Sequence, residues 1–180
     1  LETNGGGNIK ATDLRPLRSH PKALGLAEMM NVPGVLNGDA GVWAKLKEFS
    51  DSVIDGHCPL LSGPALSAYA AAGISSCHES TRLDEAQEKL LKGIAVWIRE
   101  GSVAKDLKRL APLLDLASSA RVGFCTDDRN PLDIGMEGHI DHLIRSAIAQ
   151  GVPMEAAYRS SSWTVARHYG LRGIGALAPG

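Results

Sequence analysis

The sequence predicts an α/β fold built on a parallel sheet, on three observations. Short apolar, β-prone runs alternate with stretches of helical period over most of the 180 residues. Most runs carry a polar residue at their C-terminal end, and these endings recur at steps of about 20–30 residues, the length of one strand-plus-helix unit. The composition, 44% hydrophobic and 22% charged, is that of a soluble globular chain able to fill a core.

In order, the first strand is predicted over residues 23–30 (ALGLAEMM), marked by Glu28 near its end. A helix over 42–49 follows, then a strand over 51–58 (DSVIDGHC), marked by His57. The small-residue stretch 63–72 reads as a helix, and 73–80 (GISSCHES) as the third strand, marked by His78. The next helix, 83–92, sets Glu85, Glu88 and Lys92 on a polar face and offers Leu83, Leu90 and Leu91 for burial. The fourth strand, 94–101, ends on Arg99 and Glu100. A helix over 103–116 leads to the fifth strand, 121–128, marked by Asp127, and a last helix covers 137–149. The glycine run at 5–7 reads as a loop, without the context of a phosphate-cradling motif.

A complete (β/α)8 barrel takes about 250 residues. The five units here reach residue 150, so the chain is either a smaller open sheet or a piece of a barrel. An end at 178–180 with no closing element favours the piece. Nineteen basic against twenty acidic residues leave no electrostatic footprint for nucleic acid or an anionic membrane. No apolar run approaches the roughly 18 residues of a spanning helix. Three cysteines without CxxC spacing argue against a disulfide framework and point to a reducing cytoplasm.

Residues at the C-terminal ends of parallel strands face the crevice where α/β proteins bind ligands. Glu28, His57, His78 and Asp127 would therefore gather at one mouth. Two imidazoles and two carboxylates form a ligand set for one or two divalent ions of the zinc, manganese or iron type, and metal-assisted hydrolysis is the chemistry that uses it. Taken singly, each is better read as a satisfied structural residue or a helix cap; the joint spacing is what argues for a site. His139 and His142, in EGHIDH, read as a loop or surface pair, Cys58, Cys77 and Cys125 as core packing, Trp97 as packing, and Met29 and Met30 as core filler.

The strings GLAEMMNVPGV, DGHCPLLSG, AYAAAGISSCHES, WIREGS, FCTDDRNP, EGHIDH and SSWTVARHYGLRGIGALAPG resemble, in order and spacing, the microbial adenine deaminase family of the amidohydrolase superfamily. That resemblance implies a partial (β/α)8 TIM barrel of metal-dependent hydrolase type, roughly strands four to eight, with residues 1–180 forming one incomplete catalytic domain. It implies a centre of two divalent ions (Mn, Fe or Zn) that hydrolyses adenine, a small-molecule purine base, to hypoxanthine and ammonia in purine salvage. Glu28 would bridge the ions, with His57 and His78 as ligands of the fifth and sixth barrel strands. Asp127 would be the eighth-strand ligand and proton shuttle. Glu79, beside His78, has two readings: a proton donor to the ring, or, since adjacent strand residues face opposite sides, a residue that orients a neighbouring loop. Arg99 and Glu100 fall at the end of the seventh strand and, with Asp128, are candidates for holding the substrate. Asp128 has a second reading as a helix cap or as support for a ligand imidazole.

The sequence departs from the family in two respects: none of His20, His57, His78, His139, His142 and His168 forms the His-x-His pair of the first barrel strand, and the small β-sandwich that the family builds from both chain ends is not expected here. An internal fragment, inactive alone and prone to aggregation or rescue by a partner, is the expectation. The oligomeric state, a homo-oligomer included, stays open. A related metal hydrolase acting on a cyclic amide, or an inactive remnant, are the alternatives.

Overall fold

Residues 6–179 are described by a computed structural model. Five strands, β1 (Gly25–Met29), β2 (Val53–Gly56), β3 (Ser76–Cys77), β4 (Ala95–Arg99) and β5 (Val122–Cys125), pair in parallel in the order β1-β2-β3-β4-β5. A doubly wound open sheet reverses its strand order part-way, whereas a (β/α)8 barrel adds each strand beside the last. The unbroken order is therefore the winding of a barrel segment, as the sequence predicts. Every strand is shorter than its predicted run, because residues at both ends leave the ladder for turns and loops.

Each crossover carries helix. Before β1 stands α1 (Ala11–Arg18); α2 (Val32–Leu36) and α3 (Ala40–Glu48) separate β1 from β2, and α4 (Gly63–Ala71) leads to β3. After α5 (Leu83–Leu91) comes β4, then α6 (Leu107–Leu110) and β5. Beyond β5 lie α7 (Pro131–Glu137), α8 (Ile140–Ala149), α9 (Met154–Ser161) and α10 (Trp163–His168). Asp39 caps α3 by accepting from the Val42 N–H at 2.8 Å, and Asn130 caps α7 by accepting from the Asp133 N–H at 2.9 Å. The predicted helix 103–116 forms only the single turn of α6 and a 3-10 turn, Ala111–Leu113, because Pro112 lacks the N–H that a continuing helix needs. Gly138, at φ 109, breaks the predicted 137–149 helix so that α8 starts at Ile140. Of the glycine run, Gly5 lies outside the described residues, as does Gly180; residues 6–7 form no helix or strand.

The core lies between the sheet's outer face and the helices, in two clusters. Ile54, Cys58 and Cys77 pack with Val42, Leu46 and Leu66. Val96, Ile98, Val122 and Phe124 pack with Leu107, Leu110, Leu143 and Ala156. Each fully buried Leu or Ile contributes about 1.5–3 kcal/mol. On the inner face Trp97 meets the His168 ring edge-on, 4.8 Å between centroids, just as its mid-strand position predicts packing. Met29 is buried as core filler, but Met30, one step on, is exposed.

The α5 face departs from the prediction. Glu85 and Lys89 are buried and Leu91 is exposed. Glu85, four residues before Lys89, makes an internal ion pair whose remaining bonds tie down neighbouring loops, so this charged stripe turns inward.

Candidate metal centre

Outward core residues and inward functional residues alternate along each strand. Ile54 and Cys77 point to the helices, so Asp55 and Ser76 point to the inner face and are adjacent in register. The same alternation carries His57, just past β2, and His78, just past β3, to the inner side of the C-terminal rim. In β1 the register shifts between Leu26 and Met29, and Glu28 lies in that irregular stretch, exposed at the same mouth.

One ligand atom from each of Glu28, His57 and His78 lies within 4.8 Å of the others. His78 Nε2 is 2.8 Å from Glu28 Oε2 and 3.3 Å from His57 Nδ1, and His57 Nδ1 is 3.8 Å from the same Glu28 oxygen. Ligands about 2.0–2.2 Å from a divalent ion stand roughly 3–3.5 Å apart, so nitrogen and carboxylate donors at these spacings fit such an ion. Among the described residues this is the group with that property. Three of the four predicted ligands are thus together.

Asp127 is placed differently. Its carboxylate faces Arg99, with Oδ2 3.2 Å from Nη1, and it is not in the three-residue group. Asp127 has φ 49, a left-handed conformation costing roughly 1–2 kcal/mol in a non-glycine residue, which lifts its side chain over the rim after β5. Arg99 also pairs with both oxygens of Glu79 and lies 3.5 Å from Asp106 Oδ2. Glu79 stands 3.9 Å from His57 Nδ1. Strand alternation would have sent it away from its neighbour His78, but β3 ends at Cys77 and the chain turns, bringing Glu79 to the mouth. Glu100 and Asp128 turn aside. Glu100 accepts from the Leu107 N–H at 3.0 Å, and Asp128 accepts from the Val103 N–H at 2.9 Å, holding the loop between β4 and α6. His139 contacts Thr126 Oγ1 at 3.0 Å, and His142 lies 3.8 Å from Glu137.

Three supporting residues escape a reading of motifs. Asp55 Oδ2 is 3.7 Å from His78 Nδ1, and Asp55 Oδ1 accepts from Ser76 Oγ at 2.5 Å. Burial pushes the Asp55 carboxyl up, but the nearby His78 imidazole and the Ser76 hydroxyl outweigh it, leaving Asp55 below its ordinary value. Burial likewise opposes charge on His78, yet Asp55 and Glu28 hold its imidazole above the ordinary 6.5. Its place two residues before His57 in DGHC, hence on the same strand face, is the signal that could have found Asp55. Tyr69 of α4 donates from Oη to the Met29 carbonyl and accepts from the His57 N–H at 3.2 Å, tying the ends of β1 and β2 together. Lys89 donates to the Glu79 carbonyl at 2.7 Å, to Ser80 Oγ at 2.9 Å and to Glu85 Oε1 at 2.8 Å, fixing the turn that presents Glu79.

Residues 17–180 match the family profile described as Amidohydrolase family. The chain belongs to the amidohydrolase family. It is 58% identical over 175 residues to an adenine deaminase of Methylobacterium nodulans, covering 97% of this chain and 31% of that protein. It is 57% identical over 180 residues to an adenine deaminase of Gluconobacter oxydans, covering 100% of this chain and 32% of that protein. This amidohydrolase chain thus spans about a third of the length of these relatives. A crystal structure of an uncharacterised protein superposes with a TM-score of 0.53 at 15% identity, covering 77% of this chain and 39% of that one, and shares the fold. No helix of the described residues is long and apolar enough to cross a membrane.

Proposed function

We propose that this amidohydrolase chain carries part of the active site of an adenine deaminase, which converts adenine and water to hypoxanthine and ammonia in purine salvage. The observation that carries the reading is the convergence of Glu28, His57 and His78 at the strand C-termini, in a chain 58% identical to a relative of that name. Residues 1–180 are read as the later part of one barrel domain. Glu28, His57 and His78 would hold a divalent ion (Mn, Fe or Zn), with Glu28 placed to bridge to a second; the His-x-His pair for that second ion is not among these residues.

When bound, the metal supplies Lewis acidity that makes water nucleophilic near neutral pH. The residues of this chain then handle protons and position. Asp127, poised over the rim on Arg99, accepts the proton of the attacking water and delivers it to the departing amine, because ammonia leaves readily only once protonated. Glu79, across the same opening, relays a proton to the ring nitrogen beside the attacked carbon. Arg99 holds both carboxylates in register at the mouth the purine would enter, while Glu100 and Asp128, bonded to the Leu107 and Val103 N–H groups, hold the loop behind it. Asp55 keeps the His78 ring oriented through Nδ1, leaving Nε2 for the ion.

The test is ammonia release from adenine, with manganese, by the 180-residue chain and by a chimera in which it replaces the matching residues of the Gluconobacter oxydans adenine deaminase. The chimera is expected to turn over and the chain alone is not, and Glu28→Gln or His78→Asn in the chimera should abolish release. A folded, manganese-loaded chimera that hydrolyses a cyclic amide and leaves adenine intact would establish the other amidohydrolase chemistry instead.

A further inference from the structure

Behind the metal-centre residues, on the opposite face of the sheet, two thiols meet. Cys58 follows His57 and Cys77 precedes His78, so when the imidazoles face the mouth the sulfurs face the helices. Their Sγ atoms are 3.6 Å apart, both fully buried, and both cysteines are free. Cys77 Sγ also accepts from the Cys58 N–H at 3.5 Å and from the Glu79 N–H at 3.4 Å. Cys77 therefore touches the backbone on both sides of the site: the residue after His57 and the residue after His78. Core packing explains why each cysteine is small and buried; it does not explain two sulfurs in contact across neighbouring strands.

We propose that Cys58 and Cys77 are a dithiol modification site, oxidised by a peroxide to a disulfide that changes the spacing of His57 and His78. In the first step hydrogen peroxide transfers one oxygen to one sulfur, giving a sulfenic acid and one water. In the second the other thiol attacks that sulfur; the S–S bond forms, the S–O bond breaks, and the departing hydroxide takes the thiol proton as a second water. The two thiols lose two electrons together and the peroxide gains them.

A disulfide needs the sulfurs about 2.05 Å apart, so each moves by under an ångström on average from the present contact. In a close-packed layer that movement is shared with the backbone at 58 and 77, whose immediate neighbours are the two imidazoles. Burial limits access to a small oxidant or to moments of local opening. The consequence for metal rests on the reading of Glu28, His57 and His78 as ligands; the disulfide itself does not.

The experiment treats the metal-free, reduced 180-residue chain with hydrogen peroxide and maps its thiols by mass spectrometry. Manganese binding is then measured by calorimetry before oxidation, after it, and after dithiothreitol. Manganese is the probe because thiols are poor ligands for it. The expected result is a loss of two mass units, a linked Cys58–Cys77 peptide pair with Cys125 still free, and a fall of at least about ten-fold in manganese affinity that dithiothreitol reverses, the usual scale for disturbing ligand support. Cys58→Ser and, separately, Cys77→Ala, each checked by circular dichroism, should block the linkage. Oxidation of Cys125 ahead of the pair, sulfinic acids in place of the link, or a link that leaves manganese affinity unchanged would overturn the proposal. If the reduced chain itself binds no manganese, the metal reading fails, while the mass map still decides whether the pair closes.

Discussion

Replacing Lys89 by Met tests whether the buried charge on α5 is a structural keystone. The Lys89 side chain is 0% exposed and that of Glu85 6%, and the ammonium has an acceptor for each of its three hydrogens. Methionine follows the aliphatic stem and stops one atom short of Nζ, so packing of the stem is nearly conserved. What changes is charge. Glu85 keeps the Leu60 N–H at 2.8 Å and the Thr81 N–H at 3.1 Å but loses its cation, and the Glu79 carbonyl and Ser80 hydroxyl lose a donor. Removing one member of a buried ion pair costs about 3–5 kcal/mol, because the other charge is left in a poorly solvating place. For a slope of about 2 kcal/mol per molar urea, that moves the unfolding midpoint down by about 1.5–2.5 M. Lys92→Met, three residues on and exposed, should stay within about 0.5 kcal/mol. Equilibrium urea unfolding followed by circular dichroism measures both. A midpoint shift under about 0.5 M for Lys89→Met would refute the reasoning, showing that Glu85 finds solvent or a proton without its partner.

Asp55→Asn should weaken manganese binding by about 10–100-fold, the usual range for losing a carboxylate behind a ligand histidine; calorimetry showing unchanged affinity would remove Asp55 from that role. Tyr69→Phe deletes the hydroxyl shared by the Met29 carbonyl and the His57 N–H, and should cost about 1–2 kcal/mol in urea unfolding with little change in volume. In the metal-free chain, the His78 imidazole is held above 6.5, so its ion pairs stabilise the fold fully below that pH and cease to as pH rises through the raised value. The melting temperature should therefore decline on the alkaline side of 6.5, and His78→Gln should flatten that slope.

The rim was legible because burial on both sheet faces writes strands as apolar runs, and chemistry interrupts each run at the same end. That is why Glu28, His57 and His78 could be placed together from spacing alone. The residues that support them were not, because their signal is relational. Asp55 matters through Ser76 and His78, which lie 21 or more residues away and adjoin it only once β2 and β3 pair. Lys89 looks like part of a solvated face until the loops after β2 and β3 close over it. The helices α9 and α10 went unread because the face α9 buries is Ala156, Ala157 and Ser160, too small to produce a hydrophobic period. The single helix expected over 103–116 failed for a local reason that the sequence does contain, Pro112.

The charge arrangement at the mouth argues for a cation independently of the ligand distances. Glu28, Asp55, Glu79, Asp106 and Asp127 crowd around one guanidinium, Arg99, and two imidazoles. One group there, His78, registers the imbalance as a raised affinity for protons, while Asp106 is raised mainly by being buried. Burial chiefly raises Asp106, and the Glu79 charge adds to it; His78 is raised against its own burial by Asp55 and Glu28. A field that holds a proton on a buried imidazole draws any cation, and a divalent ion is the species best able to use it. Such an ion would compete with the proton on His78 directly, since both want the Nε2 lone pair that now faces Glu28. The excess of carboxylates around the imidazoles is thus a source of affinity for a divalent ion, while Arg99 offsets the charge of Glu79 and Asp127.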